Sequence, residues 1–318
     1  MPASGADLGE RLGKRDLSAA PAALNLIEDR SPGAREEAAR LLEAVSPAKL
    51  GGEAPAHLIG VTGPPGAGKS SLLSALVGEW RSENRTVAVL AVDPSSKRSG
   101  GSLLGDRARI DHDPRDEGVL IRSTAAGGRL GGLAAPTREA AWALAAAYDI
   151  VVVETVGVGQ SETDVEEVCD TVAVVVQPAS GDTLQFLKAG IMEVPGVLVV
   201  TKADLGDAAR RAQRDLSSAL TSLGEKKVPV VSVSSLPPPS GMQDLIEALN
   251  DHRQTLDISA TRTRARRATA LREMVAEHGE AALRALGGRR AAERALAEHD
   301  PGDDVPALIA SLTDRARL

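Results

Sequence analysis

At 318 residues, with 42% hydrophobic and 25% charged side chains, the chain can bury a large core and reads as a soluble folded protein; aromatics are only 1%, so Leu, Val, Ile and Ala must do the packing. A net charge of −7, from 37 basic and 44 acidic residues, argues against nucleic acid or an anionic membrane surface as the main partner. Lone Cys169 excludes an internal disulfide and a cysteine-cluster metal site, and with no run of about 18 apolar residues and no signal-peptide pattern the cytoplasm is the expected compartment.

Over residues 7–49 apolar positions fall at helical spacing on either side of Ser31-Pro32-Gly33, which predicts a helical hairpin. An apolar run over 57–62 predicts the first strand, and 71–81 a helix. Further strands are expected over 86–92, 119–122, 149–153, 171–177, 196–200 and 228–233, with helices over 139–147, 208–223 and 242–249. Such alternation predicts an α/β fold with a mostly parallel sheet flanked by helices. Beyond Asp251 the strands stop: 261–294 reads as long helices broken at Gly287-Gly288, and 305–315 as a last helix. Arg262, Arg264, Arg266 and Arg267 are expected on one solvated helix face. The predicted division is an N-terminal helical extension (1–55), a nucleotide domain (56–251) and a C-terminal helical arm (252–318).

Between the first strand and its helix stands Gly63-Pro64-Pro65-Gly66-Ala67-Gly68-Lys69-Ser70, with the G-x-x-x-x-G-K-S spacing of a phosphate-binding loop. Its glycines let backbone N–H groups close around a phosphate, and the positive end of the helix opening at Ser71 faces the anion. Lys69 adds a charge, and the Ser70 hydroxyl is a candidate Mg²⁺ ligand. Three carboxylates are candidates for the same metal sphere: Asp93 ending the second strand, Asp106 in a glycine-bearing segment over 99–106, and Glu154 after four apolar residues. Lys69, Glu154 and Asp106 are the candidate catalytic residues, because phosphoryl transfer depends on positioning and charge stabilisation more than on covalent help.

The base-reading signal is Thr201-Lys202-Ala203-Asp204. Asp204 can accept hydrogen bonds from N1–H and N2–H₂ of guanine while the Lys202 stem covers the ring face, which predicts GTP or GDP over adenine nucleotides. The common pattern has Asn where Thr201 stands, and the loss of that amide is expected to weaken the clamp. Backbone N–H groups of Ser234 and Ser235, after the next strand, are expected to face the base carbonyl.

With these residues assembled the chain resembles the P-loop GTPases that serve as metal-insertion and cobalamin-enzyme chaperones, and among them the MeaB/ArgK type. The residues carrying the resemblance are the loop 63–70 and the stretches 87–96, 100–106 and 154–162, within a similarity that spans residues 8–250. The resemblance implies a P-loop NTPase fold, slow hydrolysis of GTP to GDP with Mg²⁺, and a homodimer formed through the C-terminal arm. It also implies a chaperone that gates adenosylcobalamin loading and protection of methylmalonyl-CoA mutase or a related mutase. Switch segments would fall at 99–106 and 154–162, with a third mobile segment at 181–188. Two alternatives share the loop. A nickel-delivery GTPase would need a ligand cluster, whereas His57, His112, His252, His278 and His299 are scattered beside one cysteine. A kinase would pass the γ-phosphate to an acceptor, and the base motif and glycine-rich segments argue instead for a timed switch.

Overall fold

Seven short runs dominated by Val, Ile, Leu and Ala form the strands β1 (His57–Thr62), β2 (Val87–Asp93), β3 (Val119–Ala125), β4 (Ile150–Glu154), β5 (Thr171–Val176), β6 (Val197–Val200) and β7 (Val230–Ser232). In the computed structural model, which describes residues 3–93, 110–125, 133–155, 165–178, 195–223 and 228–317, they make one sheet in the order β3-β2-β4-β1-β5-β6-β7. Every neighbouring pair is parallel. All residues of β1 and β5 are buried, as strands covered on both faces must be. β1 lies between β4 and β5, so the chain crosses it in passing from one half of the sheet to the other. Residues that follow β1 therefore stand at the crevice where open α/β sheets bind ligands.

The helices are α1 (Gly5–Gly13), α2 (Ala20–Glu28), α3 (Pro32–Ala44), α4 (Pro47–Leu50), α5 (Lys69–Ser82), α6 (Ala135–Ala145), α7 (Asp207–Leu223), α8 (Met242–Gln254), α9 (Ile258–His278), α10 (Glu280–Ala285), α11 (Arg289–Ala297) and α12 (Val305–Ala316). The chain separates into two compact units: Met1–Ala56 with Arg138–Tyr148 and Asp257–Leu318, and His57–Thr137 with Asp149–Leu256. No helix among the described residues is long and apolar enough to cross a membrane.

In the sheet unit, Leu72, Leu73, Leu76 and Trp80 of α5 pack with Ile59, Val61, Val89, Val152 and Val175 of the strands and Leu245 and Leu249 of α8. Burying each such leucine contributes about 1.5–3 kcal/mol, which fixes α5, and with it Lys69 and Ser70 at its start, against the sheet. At the other end of the strands, His57 Nε2 lies 2.9 Å from Thr171 Oγ1, and the same hydroxyl lies 3.0 Å from Nδ1 of His252 on α8. Burial pushes the His252 imidazole below its ordinary range against a smaller opposing pull from Asp170. A histidine whose folded pKa is depressed contributes stability that is complete above its unfolded value of 6.5 and is lost as pH falls through the folded value. Denaturant midpoints measured from about pH 7.5 down to 5 should therefore fall in the native chain and fall less in His252→Gln, which cannot take up the proton. Equal slopes in the two would remove His252 from the account.

In the helical unit, the predicted N-terminal hairpin is four helices. The chain turns after α1 at Arg15, where φ is 61°, and prolines open α3 and α4. The long C-terminal helices break at Gly279 as well as at Gly287-Gly288. Asp257 caps α9 by accepting from Ala260 N–H, and Asp304 caps α12 by accepting from Ala307 N–H. Leu271, Met274, Leu283, Leu296, Leu308 and Leu312 gather the apolar faces of α9–α12 into one cluster, against which Trp142 of α6 packs.

The solvated arginine face expected on α9 is corrected by the structure. Arg262 and Arg266 are buried, at 4% and 6% exposure. Arg262 donates to the carbonyls of Ala54 and Ala56 at 2.6 and 2.7 Å. Arg266 grips Glu53 through both terminal nitrogens, at 3.0 and 2.7 Å, and donates to Pro301 O at 2.6 Å. Arg267 donates to His299 O at 2.9 Å, while Arg264 is exposed. A fork of fixed donors suits paired acceptors on neighbouring chain segments, so these side chains staple the unit together from inside.

Candidate nucleotide site

The phosphate loop begins where β1 ends. A Cβ on Gly63 would stand 2.1 Å from Val175 O of β5, so only glycine lets the chain leave the sheet this close to its neighbour. Gly68, at φ 92°, makes the reverse turn into α5, whose first residue is Lys69. The amino end of a well-packed helix thus faces the loop, a ready site for an anion. Lys69 is 8% exposed, and its ammonium donates to Gly63 O at 2.7 Å and Pro64 O at 3.2 Å. Pro65, Gly66 and Ser71 are exposed and Ala67 is buried.

Glu154, the polar residue ending β4, accepts a hydrogen bond from Ser70 Oγ at 3.3 Å. The strand end is held beside β1 by Thr155, whose N–H donates to Val61 O and whose hydroxyl donates to Thr62 Oγ1 at 3.0 Å. Asp93 closes β2, two residues beyond Ala91, which pairs with Glu154. Asp106 and the segments 99–106, 156–162 and 181–188 lie outside the described residues. Ser70 and Glu154 are hard oxygen donors side by side, and the chemistry of that pairing fits Mg²⁺.

Thr201 and Lys202 follow β6, and each reaches the phosphate loop. The Thr201 hydroxyl lies 2.6 Å from Ala67 O and 3.1 Å from Val176 O, so this one side chain ties the base motif to the loop. Lys202, with φ at 54°, directs its ammonium to Gly66 O at 3.4 Å and to the Gln177 side-chain oxygen. Asp204 accepts from Ser234 Oγ at 2.8 Å, and Ser234 in turn accepts from Leu236 N–H at 3.3 Å. That relay holds the carboxylate by one of its oxygens. Ser235 follows, half-buried. Thr201→Val removes the hydroxyl at equal volume and leaves a buried carbonyl at Ala67 without its donor. It should weaken fluorescent GDP binding about tenfold, with Thr201→Ser near native. Unchanged affinity in the valine variant would show that the tie does not shape the site.

Sequence reasoning missed three participants. Thr62 carries no motif and Thr155 stands in the 154–162 stretch without a role of its own, and their pairing shows only once β1 and β4 are neighbours. Gln177 had a readable signal: like Glu154, it is the polar residue that follows an apolar strand.

A phosphate loop, a carboxylate strand end and a guanine-type base motif at the carboxyl ends of a parallel sheet define the P-loop GTPase class. Within that class the family model described as "Methylmalonyl Co-A mutase-associated GTPase MeaB" matches residues 20–286. The chain belongs to the MeaB family and is a GTPase of that family. A solved structure described as an LAO/AO transport system kinase aligns with a TM-score of 0.68 at 28% identity, over 99% of this chain and 98% of that one. A Pyrococcus abyssi protein named as a GTPase is 40% identical over 260 residues, covering 80% of this chain and 77% of that one. The mitochondrial methylmalonic aciduria type A homologue of Caenorhabditis elegans is 42% identical over 214 residues, 64% of this chain and 53% of its own length.

Proposed function

We propose that the chain is a GTP-dependent chaperone of an adenosylcobalamin-dependent methylmalonyl-CoA mutase or a related mutase, acting in the cytoplasm as a slow GTPase that gates cofactor loading and protection. The observation that carries this reading is the match to the mutase-associated family across residues 20–286, which takes in every residue of the site. The geometry supports a switch. The base motif and the phosphate loop are joined through Thr201 and Ala67, and the loop helix is joined to the end of β4 through Ser70 and Glu154. Occupancy of the nucleotide site is thereby linked to the strand end from which the 156–162 segment departs.

In this mechanism the loop N–H groups and Lys69 would hold the β and γ phosphates, Asp204 and Lys202 would hold the base, and Ser70 and Glu154, with Asp93 and Asp106 as further carboxylates, would hold Mg²⁺. The bound metal would neutralise charge on the phosphate oxygens. Lys69 opposes the charge that develops as the terminal phosphoryl group leaves, and turnover is expected to stay slow until a partner or a second copy of the chain completes the site.

Phosphate release measured with and without an adenosylcobalamin-dependent mutase tests the reading. Acceleration of about tenfold or more, with co-purification on a GTP analogue, is expected. Full turnover without any partner would count against it. The solved relative described as a transport system kinase raises a second reading, γ-phosphate transfer to a protein or small molecule. Radiolabel from γ-labelled GTP appearing in an acceptor instead of in phosphate would favour that one.

A further inference from the structure

We infer that Gln177 is a positioning residue of the nucleotide site, holding the Lys202 stem across the face of the guanine ring; the inference rests on reading Thr201 to Asp204 as the base motif. Two consecutive residues make the same pair of ties. Thr201 lies between Ala67 O of the phosphate loop and Val176 O of β5, and Lys202 lies between Gly66 O, one residue earlier in the loop, and the side chain of Gln177, one residue later than Val176. The backbone is fixed at this point: Thr201 N–H donates to Val176 O and Ala203 N–H to Val233 O, both at 2.9 Å.

What is not fixed by the backbone is the lysine side chain. Lys202 is exposed, and a lysine stem has four rotatable bonds and large rotamer freedom to lose. The Gly66 carbonyl, at 3.4 Å, is near the limit of a hydrogen bond and cannot order it alone. An amide oxygen at Gln177 adds a charge-assisted bond to the ammonium, which anchors the far end of the stem and leaves its methylenes as a flat apolar strip. Gln177 is half-buried at the carboxyl end of a wholly buried strand, so its own direction is restrained.

Packing on a ring face is blind to the groups on the ring edge, and this separates Gln177 from Asp204. Gln177→Leu should weaken binding of fluorescent GDP and of its inosine counterpart by the same factor, about threefold to tenfold, with the melting temperature of the unliganded protein unchanged. Gln177→Glu keeps an acceptor and should bind within about twofold of native. In a Lys202→Ala background, Gln177→Leu should add no further loss, since the residue acts through the lysine. Native affinity in Gln177→Leu, or losses that add in the double variant, would overturn the inference. Asp204→Ala, run in parallel, should erase the preference for guanine over adenine diphosphate. If that preference survives, the base-site reading itself fails and the Gln177 inference falls with it, whereas a Gln177 failure beside a normal Asp204 result overturns the inference alone.

Discussion

Lys69→Ala is expected to lower GTP turnover by about a hundredfold to a thousandfold or more, because it removes the charge opposing the phosphoryl group where that charge develops. The side chain is not a mobile surface cation. It is 8% exposed, follows a glycine at φ 92°, and has its ammonium held inside the loop by the carbonyls of Gly63 and Pro64. Preorganisation of this kind means that the ammonium needs little rearrangement when phosphate arrives. Alanine takes the ammonium from Gly63 O and leaves Pro64 O with the Ala67 N–H alone, so nucleotide binding should fall together with the chemical step. Single-turnover phosphate release and fluorescent GDP titration separate the two effects, and a thermal melt checks the fold. Near-native hydrolysis in this variant would refute the loop assignment. Lys69→Arg is not a rescue, since a planar guanidinium does not fit the place of a compact ammonium.

Arg266→Ala should lower the stability of the helical unit by about 3–5 kcal/mol, the cost of stranding one member of a buried ion pair. Glu53, with a side chain only 14% exposed, would keep its charge with Arg262, 4.0 Å away, as its remaining partner, which sets the loss toward the low end of that range, and Pro301 O would lose a donor as well. Replacing both partners together, as Arg266→Met with Glu53→Leu, should recover only part of the loss, because buried Arg262, 4.0 Å from Glu53, then keeps its bonds to Ala54 O and Ala56 O but loses its carboxylate. The two tryptophans make the measurement direct: Trp80 sits in the core of the sheet unit and Trp142 packs on the core of the helical one. In a Trp80→Phe background, urea unfolding followed by Trp142 fluorescence reports the helical unit. A midpoint shift worth less than about 0.5 kcal/mol would mean that Arg266 behaves as the solvated charge its sequence context suggests.

Much of the site was legible in the sequence because its residue types have mechanical jobs at fixed short spacings. Glycines, Lys69 and Ser70 follow one another within a single turn, and a parallel strand announces itself through a β-branched run that ends in one polar residue, as with Glu154. The α/β fold followed from the same alternation. What stayed hidden depends on partners far apart in the chain. Arg266 and Glu53 are separated by 213 positions, and a run of arginines on a helix looks the same whether its acceptors are water or a distant carboxylate. Thr201 looked like a loss because only its missing amide was visible; its bond to Ala67 spans 134 positions. The break at Gly279 was missed because glycine inside an Ala/Glu-rich helical pattern is tolerated often enough to read through.

The helical unit is discontinuous: its parts come from the first 56 residues, from 138–148 and from 257–318. During synthesis, its N-terminal helices emerge first and must wait for almost the whole chain before α9–α12 exist to complete their unit. The sheet unit, 57–137 with 149–256, has by then left the ribosome and can fold, so the order of synthesis sets the nucleotide-binding half ahead of the half that encloses it in sequence. Glu53 therefore waits for Arg266 through about 200 residues of elongation, and at about 5–20 residues per second that is ten seconds or more.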